Sequence, residues 1–371
     1  MKIDRIELHQ VALPLVHPFR TSFGEQTERH FILASVYADG VVGWCECTAH
    51  TRPDYSYEDL TTSWHVIEDY LAPGLIGKEI NEPADIFDSP GYKMVRGHNM
   101  AKATIENAVW DLLARAQDKP LQAMFGGTKD RIEVGVSIGI QPTLQGLLDR
   151  VDSFVEEGYG RIKMKIEPGW ELEPLTKVRE RHPDIKLMAD ANSAFRIADA
   201  DLFNQMESLN LLMIEQPLAH DDIIDHATLQ ANVTTPICLD ESIHGLGDAR
   251  MAIALKACEI INVKVGRVSG LTEAIQIHDV CAEANIPVWS GGMLETGVGR
   301  AINLHMASLP NFTLPSDLSA TKRYYHEDIA EPAFELNPED STIKVPVGPG
   351  SGIEVQQDRL EKNRERHTII K

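Results

Sequence analysis

Five charged residues recur along the middle of the chain at nearly equal intervals. Lys165, Asp190, Glu215, Asp240 and Lys264 are separated by 25, 25, 25 and 24 residues. Acids and bases that converge at one place can move protons, hold a cation and stabilise an anion. If each residue ends one strand of a parallel sheet, all five meet at the same edge. The spacing of this charged ladder therefore predicts a site for proton-transfer chemistry.

The three carboxylates of the charged ladder predict a divalent-cation site. Asp190, Glu215 and Asp240 would repel one another and raise one another's pKa without a cation between them. Oxygen ligands without Cys or His favour a hard ion, and open positions favour Mg²⁺ completed by water or substrate. Because each residue also precedes a helix, an N-cap role is an equal alternative for any one of them alone. Asn192 is predicted to orient Asp190 or to cap the next helix.

The lysines of the ladder predict an acid–base role. Lys163 and Lys165 are two apart, so on a strand they point the same way. Each cation disfavours the other, which predicts lowered pKa values and one lysine that acts as a neutral base. Lys264 would approach from across the barrel. This arrangement fits removal of an α-proton beside a metal-bound carboxylate, with the cation stabilising the enediolate. A solvated cation or an ion-pair partner is the alternative for any single lysine.

The elements that must position the ladder alternate between strand and helix patterns. Short apolar runs precede the charged residues, such as Ile237–Leu239 before Asp240, and helical sequence such as Ser269–Glu283 follows them. This alternation predicts a parallel (β/α) barrel with its site at the C-terminal strand ends. The predicted strands are 133–140, 161–166, 186–190, 211–215, 236–240, 260–264 and 286–290, with an eighth near 312–316.

The flanking segments predict a second, α+β domain. Gly, Pro and Phe in residues 14–30 fit neither period and predict a mobile loop. After Thr321 the barrel pattern breaks, and we expect the C-terminal segment to return to the N-terminal domain. The other predicted elements are a strand over 2–13, β-rich runs over 31–37 and 41–48, and helices over Tyr57–Leu71 and Asn99–Gln117.

Composition narrows the partners and the compartment. The formal net charge of −21 disfavours binding to nucleic acid or anionic membranes. No apolar run has the length of a membrane span, and the N-terminus lacks the pattern of a signal peptide. Five cysteines in a long chain indicate reduced thiols and a cytoplasmic location. Cys45 and Cys47 could share one face of a strand, but no second Cys pair exists to complete a zinc site.

These motifs together resemble the muconate-lactonising branch of the enolase superfamily, whose lysine-plus-magnesium chemistry is known. The resemblance rests on Lys-x-Lys at 163–165, the Asp/Glu/Asp ladder and Lys264. Residues 101–127 resemble the end of that branch's capping domain. Lys264-Val-Gly-Arg267 and Ser290-Gly-Gly-Met-Leu-Glu-Thr-Gly297 resemble the o-succinylbenzoate synthase / N-succinylamino acid racemase group.

The resemblance implies a fold and residue roles. The fold is a modified TIM barrel at 129–321 with an α+β capping domain built from 1–128 and from a returning segment, 322–371. The metal ligands of the family match Asp190, Glu215 and Asp240. Lys165 matches the general base that later acts as an acid, Lys163 its neighbour on the substrate carboxylate, and Lys264 the opposed lysine. Contacts to substrate are expected from Asn192, Arg267, the backbone of Ser290, Gly291, Gly292 and Met293, and from Phe19 and Phe23 on a lid at 18–24.

Three of these assignments have ordinary structural alternatives. The lid could be a flexible loop without a role, and 290–293 could be a tight glycine turn after a strand. Arg267 is predicted to lower the pKa of Lys264, although it could simply pair with an acidic neighbour.

The implied activity is the magnesium-dependent dehydration of 2-succinyl-6-hydroxy-2,4-cyclohexadiene-1-carboxylate to 2-succinylbenzoate, a step of menaquinone formation. The alternative is racemisation of N-succinylamino acids or other N-acylamino acids at the same site, and one protein can carry both activities. A non-catalytic metal-binding barrel is a remote alternative, because it leaves the three lysines unexplained. The expected partners are a small carboxylate substrate and further copies of the chain in a homo-oligomer.

Overall fold

A four-stranded antiparallel sheet forms the base of the capping domain in the computed structural model, which describes residues 1–22 and 24–371. Its first three strands are β1 (Ile3–Thr21), β2 (Gly24–Ala38) and β3 (Val41–Cys47). A β-carbon at Gly43 would lie 2.1 Å from the carbonyl oxygen of Ala108. Only glycine therefore allows the long helix of this domain to lie so close to the sheet.

The predicted loop over residues 14–30 is wrong, because β1 and β2 form one long hairpin through it. The pairing register shifts between Pro14 and Phe19 and then resumes, with Phe19 opposite Gln26. Proline is tolerated in a sheet at such irregularities, where the ladder does not need its missing N–H. The predicted lid therefore lies at the tip of a hairpin. Phe23, the second predicted lid residue, lies outside the described residues.

Helices cover this sheet. They are α1 (Leu60–Val66), which continues into a π-helical turn over Ile67–Leu71, then α2 (Pro90–Met94) and α3 (Asn99–Ala116). In α3 a continuous run from Ala103 to Ala114 is buried, because the helix lies between the capping sheet and the barrel. The N-cap of α1 is Asp59, whose side chain accepts from the backbone N–H of Thr62 at 2.7 Å. The predicted helix boundaries are close to these.

Seven parallel strands form the barrel wall, and each is hydrogen-bonded to the next strand along the chain. Met188, Met213 and Cys238, each two residues before a ladder carboxylate, form one buried apolar cluster with Ile260 and Trp289. Because the side chains of a strand alternate, this cluster lies below the charged row and packs the barrel interior. The elements of this part are β4 (Arg131–Glu133), β5 (Val136–Ile138), α4 (Leu144–Glu156), β6 (Arg161–Lys165), α5 (Leu172–Arg181), β7 (Lys186–Asp190), α6 (Ala200–Met206), β8 (Ile214–Glu215), α7 (Ile224–Gln230), β9 (Ile237–Leu239), α8 (Leu246–Leu255), β10 (Ile260–Val263), α9 (Leu271–Glu283), β11 (Val288–Ser290) and α10 (Gly297–Ala307).

The eighth barrel position is filled by an extended segment that makes only isolated bridges. Phe312 bridges Val288 on one side, and Ser316 bridges Val134 on the other. The backbone N–H of Asp317 then donates to the carbonyl of Ser290 at 2.8 Å. The segment predicted as the eighth strand thus closes the barrel, with few of a strand's regular ladder bonds.

The C-terminal segment has contacts on both domains. Its elements are β12 (Ala330–Glu331), β13 (Thr342–Lys344), β14 (Glu354–Val355), α11 (Gln357–Asn363) and β15 (Arg364–Ile370). β13 pairs with β4 at the base of the barrel, and β15 pairs with β1 and completes the capping sheet. Across the described residues, no helix has both the length and the apolar character that a membrane span needs.

Buried carboxylates of the capping domain bind the N-termini of two barrel helices. Glu106 on α3 accepts from the backbone N–H of Leu271, at the start of α9, at 2.8 Å. Glu46 on β3 accepts from the backbone N–H of Thr296, the N-cap of α10, at 2.9 Å. Both contacts place a carboxylate where the helix leaves N–H groups unpaired. They hold the capping domain over the open end of the barrel.

Candidate active site

The structure places all five ladder residues at the C-terminal ends of neighbouring barrel strands. Lys165 ends β6, Asp190 ends β7 and Glu215 ends β8. Asp240 and Lys264 directly follow β9 and β10. Lys165 pairs in register with Asp190, which pairs with Glu215. The even spacing in sequence therefore becomes one row of charges along the barrel mouth.

Lys163 lies below the mouth and joins three carboxylates. Its Nζ lies 2.6 Å from Glu215 Oε2, 2.8 Å from Asp190 Oδ2 and 3.0 Å from Asp317 Oδ2. Burial would lower the pKa of Lys163, but these three carboxylates raise it well above the ordinary lysine value. The surrounding carboxylates thus outweigh the neighbouring lysine, and the lowering of the pKa beside a bound metal stays a prediction.

Lys165 ends β6, two residues nearer the barrel mouth than Lys163, and is therefore the better placed of the pair to act on a bound molecule. Its Nζ donates to Asp190 Oδ2 and to Asn192 Oδ1, each at 2.6 Å, and it lines the cavity above the strand ends. Asn192 donates through Nδ2 to Glu241 Oε1 at 2.8 Å, which fixes the orientation of its amide. Its backbone N–H also donates to Asp190 Oδ1 at 3.0 Å, so the contact that orients Asp190 comes from the main chain rather than from the amide of Asn192.

Lys264 and Arg267 both hold Asp240. Lys264 Nζ lies 2.9 Å from Asp240 Oδ2 and 2.9 Å from the hydroxyl oxygen of Tyr55. Arg267 forms an ion pair with Asp240 Oδ1, donates to the same hydroxyl at 2.9 Å, and donates to two backbone carbonyls at 2.7 Å. Burial and Arg267 lower the pKa of Lys264, but Asp240 and Tyr55 raise it above its usual value. Arg267 therefore pairs with an acidic neighbour, which is the alternative role that the sequence analysis kept for it.

The carboxylates differ in how well their charge is compensated. Burial would raise the pKa of Asp190, but Lys163 and Lys165 hold it well below its usual range. Asp240 is likewise held low, in spite of its burial, by Arg267 and Lys264. Glu215 is the exception, since burial and the charge of Asp190 raise its pKa to about 8.

This excess of negative charge fits a divalent cation. Glu215 carries a carboxylate that the lysines do not fully compensate, and the donor set of Asp190, Glu215 and Asp240 consists of oxygens alone. Such a set suits Mg²⁺. Asn262 Nδ2 donates to Glu215 Oε1 at 2.8 Å and so orients this carboxylate from β10, two strands away in the sheet. The residues present therefore fit the ion that the sequence predicts.

A cavity lies above the strand ends and beneath the capping domain. Most predicted site residues that lie outside the metal triad line it: Phe19, Lys163, Lys165, Asn192, Lys264, Gly292 and Met293. The capping domain contributes the tip of the β1–β2 hairpin and the segment 50–55, including His50, Arg52 and Tyr55. A molecule in this cavity would therefore touch both domains.

Arg267, Ser290 and Gly291 are buried near the cavity but do not line it. The backbone N–H of Gly291 donates to Asn262 Oδ1 at 2.7 Å, and a β-carbon there would lie 2.5 Å from Lys264 Cε. Gly291 therefore leaves room for two site residues. The hydroxyl of Ser290 is buried without a partner among the described residues.

Several residues of the site were not predicted from the sequence. Asn262 is two residues before Lys264, so the alternation of a strand could have placed it on the same side. Asp317 directly follows the eighth segment and continues the pattern of the ladder, as a strand-end acid. Tyr55 belongs to an irregular segment of the other domain, and no local pattern indicates that it reaches the barrel.

Comparisons with known proteins agree with this architecture. Residues 5–126 match the family described as mandelate racemase / muconate lactonizing enzyme, N-terminal domain, and residues 146–359 match the one described as enolase C-terminal domain-like. A crystal structure of an enolase superfamily member from Listeria innocua superposes with a TM-score of 0.95 at 39% identity, covering 100% of this chain and 99% of that one.

Relatives with two activities share nearly the whole chain. An o-succinylbenzoate synthase of Geobacillus kaustophilus is 48% identical, over 98% of this chain and 96% of that protein. An N-succinylamino acid racemase of Amycolatopsis is 46% identical, over 95% of both. Fold and site thus define an enzyme of the enolase superfamily, in its mandelate racemase / muconate lactonizing branch. Within that branch, the chain belongs to the o-succinylbenzoate synthase / N-succinylamino acid racemase family.

Proposed function

We propose that the protein is an o-succinylbenzoate synthase that also racemises N-succinylamino acids. The dehydration converts 2-succinyl-6-hydroxy-2,4-cyclohexadiene-1-carboxylate to 2-succinylbenzoate, a reaction of menaquinone formation. The observation that carries the proposal is that Lys165, at the end of β6, and Lys264, directly after β10, lie on different sides of the carboxylate row and line one cavity. Relatives with each activity cover at least 95% of the chain.

Asp190, Glu215 and Asp240 would hold the cation. A bound Mg²⁺ would supply positive charge that stabilises the negative charge developing on a substrate carboxylate as its α-proton leaves. The protein itself contributes by holding the ligand carboxylates in fixed positions. Lys163 and Asn262 orient Glu215, while Lys264 and Arg267 orient Asp240. The carboxylate end of a substrate would therefore lie near the strand ends.

In the dehydration, one lysine can serve twice. Lys165 takes the α-proton, so the C–H bond breaks and its electrons form the new ring double bond as the neighbouring C–O bond breaks. The same lysine then protonates the departing hydroxyl, and water leaves. Lys264, held beside Asp240, remains charged and stabilises the anion.

In racemisation, both lysines exchange protons. One removes the α-proton from one face of the substrate, and the opposite one returns a proton to the other face. Burial of both Nζ atoms excludes bulk water from this exchange. The two reactions therefore share the first step and differ in what Lys264 does next.

Two assays on the purified protein with Mg²⁺ test the proposal. One supplies the dehydration substrate, and the other supplies N-succinyl-phenylalanine in D₂O and follows α-proton exchange. We expect turnover in both, loss of both in Lys165→Ala, and little change in Lys322→Ala, which truncates an exposed lysine. No turnover with either substrate would refute both activities and would favour a non-catalytic barrel.

A homo-oligomer is a further part of the proposal. Ile224 on α7 and Met251 and Leu255 on α8 are exposed apolar side chains on neighbouring barrel helices. A second copy could cover them. Light scattering coupled to size exclusion tests this directly, since a monomeric mass would contradict it.

A further inference from the structure

Three potential metal ligands meet on the capping sheet, in a different domain from the carboxylate row. Glu7 and His9 lie on β1, and His367 lies on β15, directly opposite His9 in the antiparallel register. One ligand atom from each residue lies within 4.8 Å of the other two. This His₂Glu cluster joins the first strand of the chain to the last.

The distances in the His₂Glu cluster are close to those of a tetrahedral site. Glu7 Oε2 lies 3.0 Å from His367 Nε2 and 4.0 Å from His9 Nε2. Ligand atoms bonded to one tetrahedral Zn²⁺ lie about 3.3–3.5 Å apart, given bonds of about 2.0–2.2 Å. The distance from Glu7 Oε2 to His367 is slightly shorter than this range, and the distance to His9 is slightly longer. The two imidazoles stack with their centroids 4.5 Å apart, so coordination needs a rotation of one ring. The side chain of His367 is 30% exposed and has room to rotate.

His9 provides a second, independent observation. Its side chain is 95% buried, and neither ring nitrogen has a hydrogen-bond partner among the described residues. A buried polar group without a partner carries a desolvation cost that a ligand can remove. Burial and His367 also keep the ring neutral, the state that binds a metal.

The charges around the His₂Glu cluster support coordination by Glu7 through one oxygen. Arg5 Nε donates to Glu7 Oε1 at 2.7 Å, which leaves Oε2 directed at the imidazoles. A second contact of this kind is how proteins orient carboxylate ligands. Arg364 also faces His9, and its charge opposes a bound cation.

We propose that Glu7, His9 and His367 form a structural site for a borderline divalent transition-metal ion, of which Zn²⁺ is the best match. Two imidazoles and one carboxylate suit Zn²⁺ or Ni²⁺, whereas Mg²⁺ prefers oxygen ligands. A water would complete the tetrahedron on the exposed side of His367. The bound ion would fasten β15 to β1 and so hold the C-terminal strand on the capping sheet.

Calorimetric titration with Zn²⁺ tests this proposal on the full-length protein, with chelator removed and excess Mg²⁺ present to fill the barrel. We expect the wild type to bind Zn²⁺ and His367→Gln to bind it at least about tenfold more weakly. His30→Gln is the matched control, because His30 lies on β2 of the same sheet and already contacts Glu28 and Glu365. Zn²⁺ that displaces Mg²⁺ from the barrel would appear equally in all three proteins.

Hydrogen exchange of the backbone amides of 364–370 provides a structural readout. We expect Zn²⁺ to slow this exchange in the wild type and in His30→Gln but not in His367→Gln, with dehydration activity in Mg²⁺ unchanged in all three. His9→Gln repeats the test if that variant folds. If it does not fold, His367→Gln decides the test, because His367 is partly exposed. Equal Zn²⁺ binding by wild type and His367→Gln, or none by the wild type, would overturn the proposal.

Discussion

Asp317 Oδ2 lies 3.0 Å from Lys163 Nζ, and its Oδ1 lies 2.6 Å from Arg161 Nη1. All three side chains are buried. The acid after the eighth barrel segment thus compensates two cations of β6 and holds Lys163 beneath Glu215. Burial would raise the pKa of Asp317, but Arg161 and Lys163 hold it low.

Asp317→Asn should therefore destabilise the protein by about 3–5 kcal/mol, because it leaves two buried cations without this partner. Urea unfolding followed by circular dichroism measures the change. Asp340→Asn is the control, since Asp340 and its partner Arg131 are 50% and 36% exposed, and we expect a change within about 0.5 kcal/mol there. Equal, small changes in both variants would show that the buried network contributes little.

Removal of Mg²⁺ with a chelator should abolish both activities, and added Mg²⁺ should restore them. Asp240→Asn removes one ligand charge, so we expect the Mg²⁺ concentration for half-maximal activity to rise at least about tenfold. Asp279→Asn, on the exposed side of α9, should leave it unchanged. Full activity in excess chelator would contradict the metal's role.

Phe19 lines the cavity from the tip of the β1–β2 hairpin. Phe19→Ala should lower kcat/KM by roughly tenfold without unfolding the protein, because closure of the hairpin over the substrate would exclude water less well. Phe87→Ala truncates an exposed aromatic elsewhere on the capping domain and serves as the control. If both variants keep wild-type kinetics with several substrates, the hairpin does not act as a lid.

His305 on α10 links three parts of the chain. Its Nδ1 accepts from the backbone N–H of Gln122 at 3.2 Å, and its Nε2 lies 3.2 Å from the carbonyl oxygen of Ser351. Burial lowers its pKa to about 4, below the unfolded value of about 6.5. Between about pH 4 and 6.5 the unfolded chain therefore binds more protons at this histidine than the folded protein does.

The stability that neutral His305 contributes is accordingly present above about pH 6.5 and lost as the pH falls towards 4, by up to about 3 kcal/mol. His305→Gln can keep both hydrogen bonds, so its unfolding free energy should fall less between these pH values than that of the wild type. His65→Gln, at an exposed position, should follow the wild type. Parallel pH profiles for all three proteins would rule out this linkage.

Arg267→Gln should slow racemisation more than dehydration. Arg267 and Lys264 share Asp240, so without the arginine Asp240 would hold the lysine more firmly in its charged form. We expect a loss of roughly tenfold in α-proton exchange in the direction that needs Lys264 as the base. Exchange in D₂O for each enantiomer, beside the dehydration rate, measures this. Equal losses in all three rates would make Arg267 a purely structural residue.

The sequence alone determined the barrel and the charged row at its mouth. A β-α unit has a nearly constant length, so residues 24 or 25 apart fall on equivalent strand ends. Asp190, Glu215 and Asp240 could therefore be brought together without a structure. The hairpin at 14–30 could not, because Pro14 and Pro18 disfavour a strand locally and only the pairing of β1 with β2 accommodates them.

Tertiary structure decided which residues complete the site and what charge they carry. Tyr55 and Asp317 reach Lys264 and Lys163 from segments 209 and 154 residues away in the chain. The ladder pattern extends to Asp317, but no pattern in the sequence indicates that Tyr55 reaches the barrel. The pKa of Lys163 also depends on burial and on every charge within a few ångströms, and the three carboxylates around it could not be predicted from the pair of lysines alone. The opposition of His9 and His367 likewise exists only because the last strand of the chain pairs with the first.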